Sequence, residues 1–171
     1  MNTNWLSPSS ITFIPDSTNT NSAWTDWRND AVNLLFPIQT KKHLRKISIH
    51  DIATTNIFSD TLVLSGFNIP SYNTLLGIKV MLDIHRQARI TDYVVQMHMN
   101  GVAYSTNLAV QEGGLSNITY YGSSTELWGI APGTNIATDN FGLLVQLGPH
   151  PHYPGNDEAI VNNIKIQVYY S

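Results

Sequence analysis

A chain of 171 residues with a net charge of −3 and no cysteine excludes disulfide-braced scaffolds and thiolate metal sites, and has no long-range field to gather nucleic acid or an anionic membrane. The length suits one hydrophobic core. Charged residues are only 12% of the chain, about half the usual share, and Asn, Thr and Ser replace them, which favours strands and turns over long helices laced with Glu and Lys pairs.

Residues 1–43 read as an N-terminal arm. They are polar and carry Pro8 and Pro15, yet Trp5, Trp24 and Trp27 stand among them. Disordered segments are poor in aromatics, so the arm is expected to fold onto its own body or onto a neighbouring subunit, with the three tryptophans as candidate partner contacts. Asp26, Ala31, Val32, Leu34 and Leu35 outline one short helix over 26–35, which Pro37 stops. Lys41, Lys42, His43, Arg45 and Lys46 follow as a short basic cluster, read as a solvated linker before a strand more readily than as a phosphate contact.

Residues 44–171 read as the folded domain, with a hydrophobic period of two. The clearest strand runs 76–85, where Ile78, Val80, Leu82 and Ile84 face one way and Lys79, Asp83 and His85 the other. Similar alternation predicts strands over 46–52, 61–67, 141–147 (Phe141, Leu143, Val145, Leu147) and 160–170 (Ile164, Ile166, Val168, Tyr170), and a weaker one over 92–99. Asn100-Gly101, ahead of Val102-Ala103-Tyr104, predicts a hairpin, because both residues tolerate the positive φ of a type I′ turn. Many short strands with one apolar face each must close on themselves. The predicted fold is therefore all-β, an antiparallel jelly-roll-like β-sandwich with an N-terminal arm.

The chain is thin in catalytic chemistry. His150-Pro151-His152, with Asp157 nearby, is the most site-like cluster, since alternate histidines on an extended segment can present two imidazoles to a metal. Pro149, Pro151 and Pro154 already account for it as a stiff exposed loop, and no metal or other cofactor is expected. Gly122-Ser123-Ser124 lacks the closing glycine of a nucleophile elbow. Phosphate-cradling, dinucleotide-binding and zinc-protease motifs are missing too. Glutamate is scarce, limited to Glu112, Glu126 and Glu158, although a glycosidase pair is defined by spatial separation that sequence does not reveal. Tyr120, Tyr121, Trp128, Tyr153, Trp24 and Trp27 offer a possible sugar-stacking platform, with Trp128 better placed to pack under a loop, between Leu127 and Gly129.

Two blocks of sequence carry a resemblance. Leu64-Ser65-Gly66-Phe67-Asn68-Ile69-Pro70, Leu75 to Val80 and Ile90-Thr91-Asp92, with Arg86 and Arg89, form the first; Tyr121 to Gly129, Asn140-Phe141-Gly142-Leu143 and the strand Val161 to Tyr170 form the second. Over roughly 60–171 the chain resembles bacteriophage virion structural proteins with a jelly-roll-like β-sandwich domain, either capsid cement or decoration proteins or tail-associated ones. A physical reading beside the resemblance gives scaffold roles: Gly77 for a tight turn into its strand, Trp128 to fill the sandwich end, Asn140 and Gly142 to shape the approach to the next core strand. The resemblance carries no catalytic residue.

The expected function is thus that of a virion structural protein, not an enzyme, most simply a capsid cement protein clamping neighbouring capsid subunits. The alternatives are a tail- or fibre-associated glycan-binding module and a glycan-cleaving enzyme. Expected partners are the major capsid protein or other virion proteins and further copies of the chain, a trimer being suggested by the resemblance and by the local three-fold axes of icosahedral shells. Nucleic acid and membrane are not expected partners. No stretch of about 18 apolar residues occurs, and the first residues lack a secretory pattern, so synthesis in the host cytoplasm followed by residence in the virion is expected.

Overall fold

A computed structural model describes residues 1–16, 46–48, 58–86, 90–110, 117–149 and 158–171. Among them are nine strands: β1 (Ser10–Ile14), β2 (Lys46–Ser48), β3 (Thr61–Ser65), β4 (Leu75–Arg86), β5 (Ile90–Met99), β6 (Val102–Asn107), β7 (Ile118–Gly122), β8 (Phe141–Pro149) and β9 (Glu158–Tyr170). The fold is all-β. Every pairing is antiparallel, and the strands form a five-stranded sheet, β1-β3-β8-β5-β6, and a four-stranded sheet, β2-β9-β4-β7. The helix expected over 26–35 and the basic cluster over 41–45 lie outside the described residues, as do Trp24 and Trp27.

The pairings follow one rule. β5 pairs with β6, β4 with β7, β3 with β8 and β2 with β9, so the chain is one long hairpin of nested pairs. Its tip is Asn100-Gly101, where φ is 54° and 78°, the positive values expected of these residues in a two-residue turn. The β4·β9 and β5·β8 ladders then join alternate pairs into two sheets.

The apolar faces meet between the sheets. Ile78, Val80, Leu82 and Ile84 from β4 and Phe141, Leu143, Val145 and Leu147 from β8 are all fully buried, as their alternation requires. Three bulges reset that alternation. Each adds an unpaired residue to one strand: Leu76 between Leu75 and Gly77, Tyr93 between Asp92 and Val94, and Asn162 between Val161 and Asn163. Leu76 and Tyr93 consequently face solvent. The bulge at Tyr93 turns Asp92 into the core beside Leu147, where its Oδ2 accepts the Tyr121 hydroxyl at 2.6 Å. Tyr121 belongs to the opposite sheet, paired with Val80. The third bulge places both Val161 and Ile164 in the core, a step of three that a period of two does not anticipate.

The first sixteen residues lie on their own body. Leu6 and Ile166 exchange backbone hydrogen bonds at 2.8 and 3.0 Å, and Thr3 N donates to Val168 O at 2.9 Å, so residues 1–6 run beside β9. The chain then crosses to the other sheet, where β1 pairs with β3 from Ser10↔Ser65 to Ile14↔Thr61. Leu6, Ile11 and Phe13 pack against the core. A buried polar network pins the far end: Gln146 Nε2 donates to Asp16 Oδ2 at 2.9 Å and to Ser59 O at 2.8 Å, and Asp16 N donates to Asp60 Oδ1 at 3.2 Å. Residues 1–16 thus form a strap that covers one edge of each sheet.

Gly77 acts differently from the sequence expectation. Its backbone makes no unusual turn; a Cβ there would come within 2.4 to 2.5 Å of the Ser124 and Thr125 main chain, so glycine admits the following loop against β4. That loop is held by Trp128, fully buried with φ of 57°. Its Nε1 donates to Ile78 O at 2.8 Å, and its main-chain N donates to Glu126 Oε1 at 2.7 Å. Trp128 packs under its loop, as read from sequence.

Candidate binding face

The outward face of the four-stranded sheet gathers the exposed aromatic chemistry. Tyr121 faces the core, so its neighbour Tyr120 faces out and is 51% exposed. Register places Lys165, Met81 and Tyr120 in one row across β9, β4 and β7, with Asn163, Asp83 and Ile118 in the next and Gln167 beside Lys79 in the one before. The strap adds Trp5. Its ring lies 6.0 Å from that of Tyr120, tilted by 39°, and the Lys79 ammonium sits 4.6 Å from the Tyr120 ring centroid, within the range of a cation–π contact.

Trp5 is held from both sides of its backbone. Thr3 Oγ1 accepts from Val168 N at 3.0 Å, Thr3 O accepts from Gln167 Nε2 at 3.0 Å, and Gln167 Oε1 accepts the Tyr169 hydroxyl at 2.8 Å. On the other side Leu6 is bridged to Ile166. Asp83 Oδ1 accepts from Asn162 Nδ2 at 3.2 Å, so the bulged asparagine partly satisfies this face's carboxylate.

Of the residues singled out in the sequence, Trp5 and Tyr120 come together here. Tyr121 and Trp128 are core residues, their polar atoms engaged by Asp92 and Ile78, and leave the expected platform. Tyr153, His150, His152 and Asp157 lie outside the described residues, as does Glu112. Glu126 spends a carboxylate oxygen on the Trp128 backbone. Among the described residues no three His, Asp or Glu side chains are grouped to hold a metal ion. The sequence reading put Lys79 on the face opposite the apolar residues of its strand and did not single out Lys165 or Gln167. The available signal was Asn117-Ile118-Thr119-Tyr120, which puts its large apolar residues on the outward parity.

His98 is the one fully enclosed imidazole among the described residues. Its Nδ1 accepts the Gly101 N–H at 3.0 Å, so Nε2 carries the proton and donates to Leu64 O at 3.1 Å. Burial pushes its pKa below the ordinary 6.5, against a smaller upward pull from the Leu64 carbonyl. Both partners are backbone groups that fasten the hairpin tip to β3, a structural role.

Comparison with protein-family models, curated proteins and solved structures finds no match.

Proposed function

We propose that this chain is a jelly-roll virion structural protein of a bacteriophage, a capsid cement protein that acts as a homotrimer against the major capsid protein. The supporting observation is the nested pairing of β2 to β9. A long antiparallel hairpin rolled into two sheets is the jelly-roll winding, an architecture recurrent in viral capsid and lectin domains. The resemblance over roughly 60–171 supports the virion setting. Among the described residues each sheet ends in strands with a neighbour on one side only, β1 and β6 in one sheet and β2 and β7 in the other. On β6 Val102 is 73% exposed, and such edges suit contact with further subunits. Trp24 and Trp27 add aromatic anchors of the kind that dominate interface energies.

Immunogold labelling of purified particles tests the assignment. Gold over the head at regular density supports a cement protein; gold on the tail alone overturns it in favour of a tail-associated module, and unlabelled particles overturn the virion assignment. Light scattering should give three times the 19.0 kDa subunit mass.

A further inference from the structure

We propose that the outward face of the four-stranded sheet binds an acidic saccharide, one sugar ring stacking on Trp5 and Tyr120 while its carboxylate meets Lys79 and Lys165. Three observations carry this, and none depends on where the protein sits in a particle.

The first is preorganisation. A tryptophan on a free arm would lose much of its stacking energy to the ordering of the arm, whereas the half-buried Trp5 is fixed in advance by backbone bonds of residues 3 and 6 to β9 and by the Gln167 side chain. The second is shape. The Trp5 and Tyr120 ring centres, 6.0 Å apart and tilted by 39°, are close enough together for one pyranose ring to touch both. Their electron-rich faces attract the positively polarised C–H groups of a sugar ring. The third is charge. The Lys79 ammonium lies over the Tyr120 ring, register puts Lys165 in the row of Tyr120, and Asp83 is turned to Asn162, so the face offers cationic donors although the whole chain carries −3. An anionic sugar complements it, because an ammonium pairs with a carboxylate through short, charge-assisted hydrogen bonds.

The surroundings favour a small polar ligand over a protein. A stable protein interface takes about 800 Å² per partner around an apolar centre, whereas here the rings, with Met81 and Ile118, share their rows with Lys79, Lys165, Gln167, Asn163 and Asp83. Two lysines are also few for a nucleic-acid strand, whose affinity rests on many phosphate contacts.

The full chain, ¹⁵N-labelled, is titrated with an oligogalacturonate, with a neutral cello-oligosaccharide of equal length and with an oligothymidylate. The four tryptophans give four indole N–H signals, and Trp5→Ala identifies one of them. Oligogalacturonate should move the Trp5 signal and leave that of Trp128, which is buried and bonded to Ile78 O. Trp5→Ala and Tyr120→Ala should each weaken binding about tenfold, and Lys79→Ala should abolish the preference for the acidic sugar. Tyr120 is carried by β7, whose backbone pairs with β4, so its variant tests stacking even where loss of Trp5 loosens the strap. A Trp5 signal unmoved by either sugar, or binding unchanged in Tyr120→Ala, overturns the site. Equal affinity for the neutral sugar overturns its acidic character, and a response to oligothymidylate alone makes it a nucleic-acid site.

Discussion

The Tyr121 hydroxyl and the Asp92 carboxylate meet at 2.6 Å in the interior, one from each sheet. A core built mainly of aliphatic and aromatic side chains thus contains a short polar tie between its layers. Removing the donor while leaving a buried carboxylate is costly, about 1 to 3 kcal/mol for a hydrogen bond to a charged group. Tyr121→Phe should therefore lower the unfolding free energy obtained from urea titration by that amount. A double-mutant cycle with Asp92→Asn should show a coupling of at least about 1 kcal/mol; strictly additive losses would mean the contact contributes nothing of its own.

Stability should fall in mild acid because of His98. Its folded pKa lies below 6.5, so as pH drops below that ordinary value the unfolded chain takes up the proton first and the folded state loses ground. Above it both states hold a neutral ring and the effect vanishes. Protonation would also place a hydrogen on Nδ1, against the Gly101 N–H that it now accepts. Urea unfolding from pH 8 to pH 5 should show wild type losing more stability than His98→Gln; identical slopes would remove His98 from the account.

Leu82 and Val145 are both fully buried and face one another's layer. Replacing either by Asp puts a carboxylate in the core, at several kcal/mol against a total of roughly 5 to 15. Circular dichroism should show loss of the β signal at 25 °C. A soluble Leu82→Asp protein with an ordinary melting transition would contradict the packing described.

Two glycines with positive φ should separate backbone strain from steric clash. At Gly101 a Cβ meets nothing within 4 Å, so Gly101→Ala should cost about 1 kcal/mol, the left-handed penalty alone. At Gly122 the Cβ would lie 2.3 Å from Ile78 O and 2.8 Å from the Trp128 indole, and Gly122→Ala should cost clearly more and displace the indole. Differential scanning calorimetry and Trp fluorescence would show the contrast.

Deleting residues 1–16 should leave a β-rich chain that melts lower and self-associates. Ile11, Phe13 and Leu6 would leave the core margin, at about 2 kcal/mol or more, and the β3 edge would lose its partner. Size-exclusion profiles at rising concentration would reveal the association.

The strands with long runs of alternation were legible in the sequence: β4 and β8 read correctly because Ile78, Val80, Leu82 and Ile84 in one, and Phe141, Leu143, Val145 and Leu147 in the other, share a parity and are buried. β5 read weakly since its bulge at Tyr93 sends a charged residue inward, and β7 went unread since Ile118 and Tyr120 point outward. β1 was hidden in a polar arm whose half-buried Ile11 and Phe13 alternate with exposed residues. Tyr120 and Trp5 could be suspected separately. Their meeting depends on the strap's register against β9, which is a long-range choice that no local pattern encodes.

That register also bears on how the protein is made. β9 lies between β2 and β4 in its sheet, and it partners segments as distant as Asn2 and Lys46. A nascent chain can close the Asn100-Gly101 hairpin early, but the four-stranded sheet has a gap at its centre until residues 158–171 have cleared the ribosome. Until then Ile78, Val80, Leu82 and Ile84 stand on a strand without its main partner. Such non-local closure is slow, so this sheet closes after the hairpin, and the exposed β4 is where a chaperone would be expected to hold the chain.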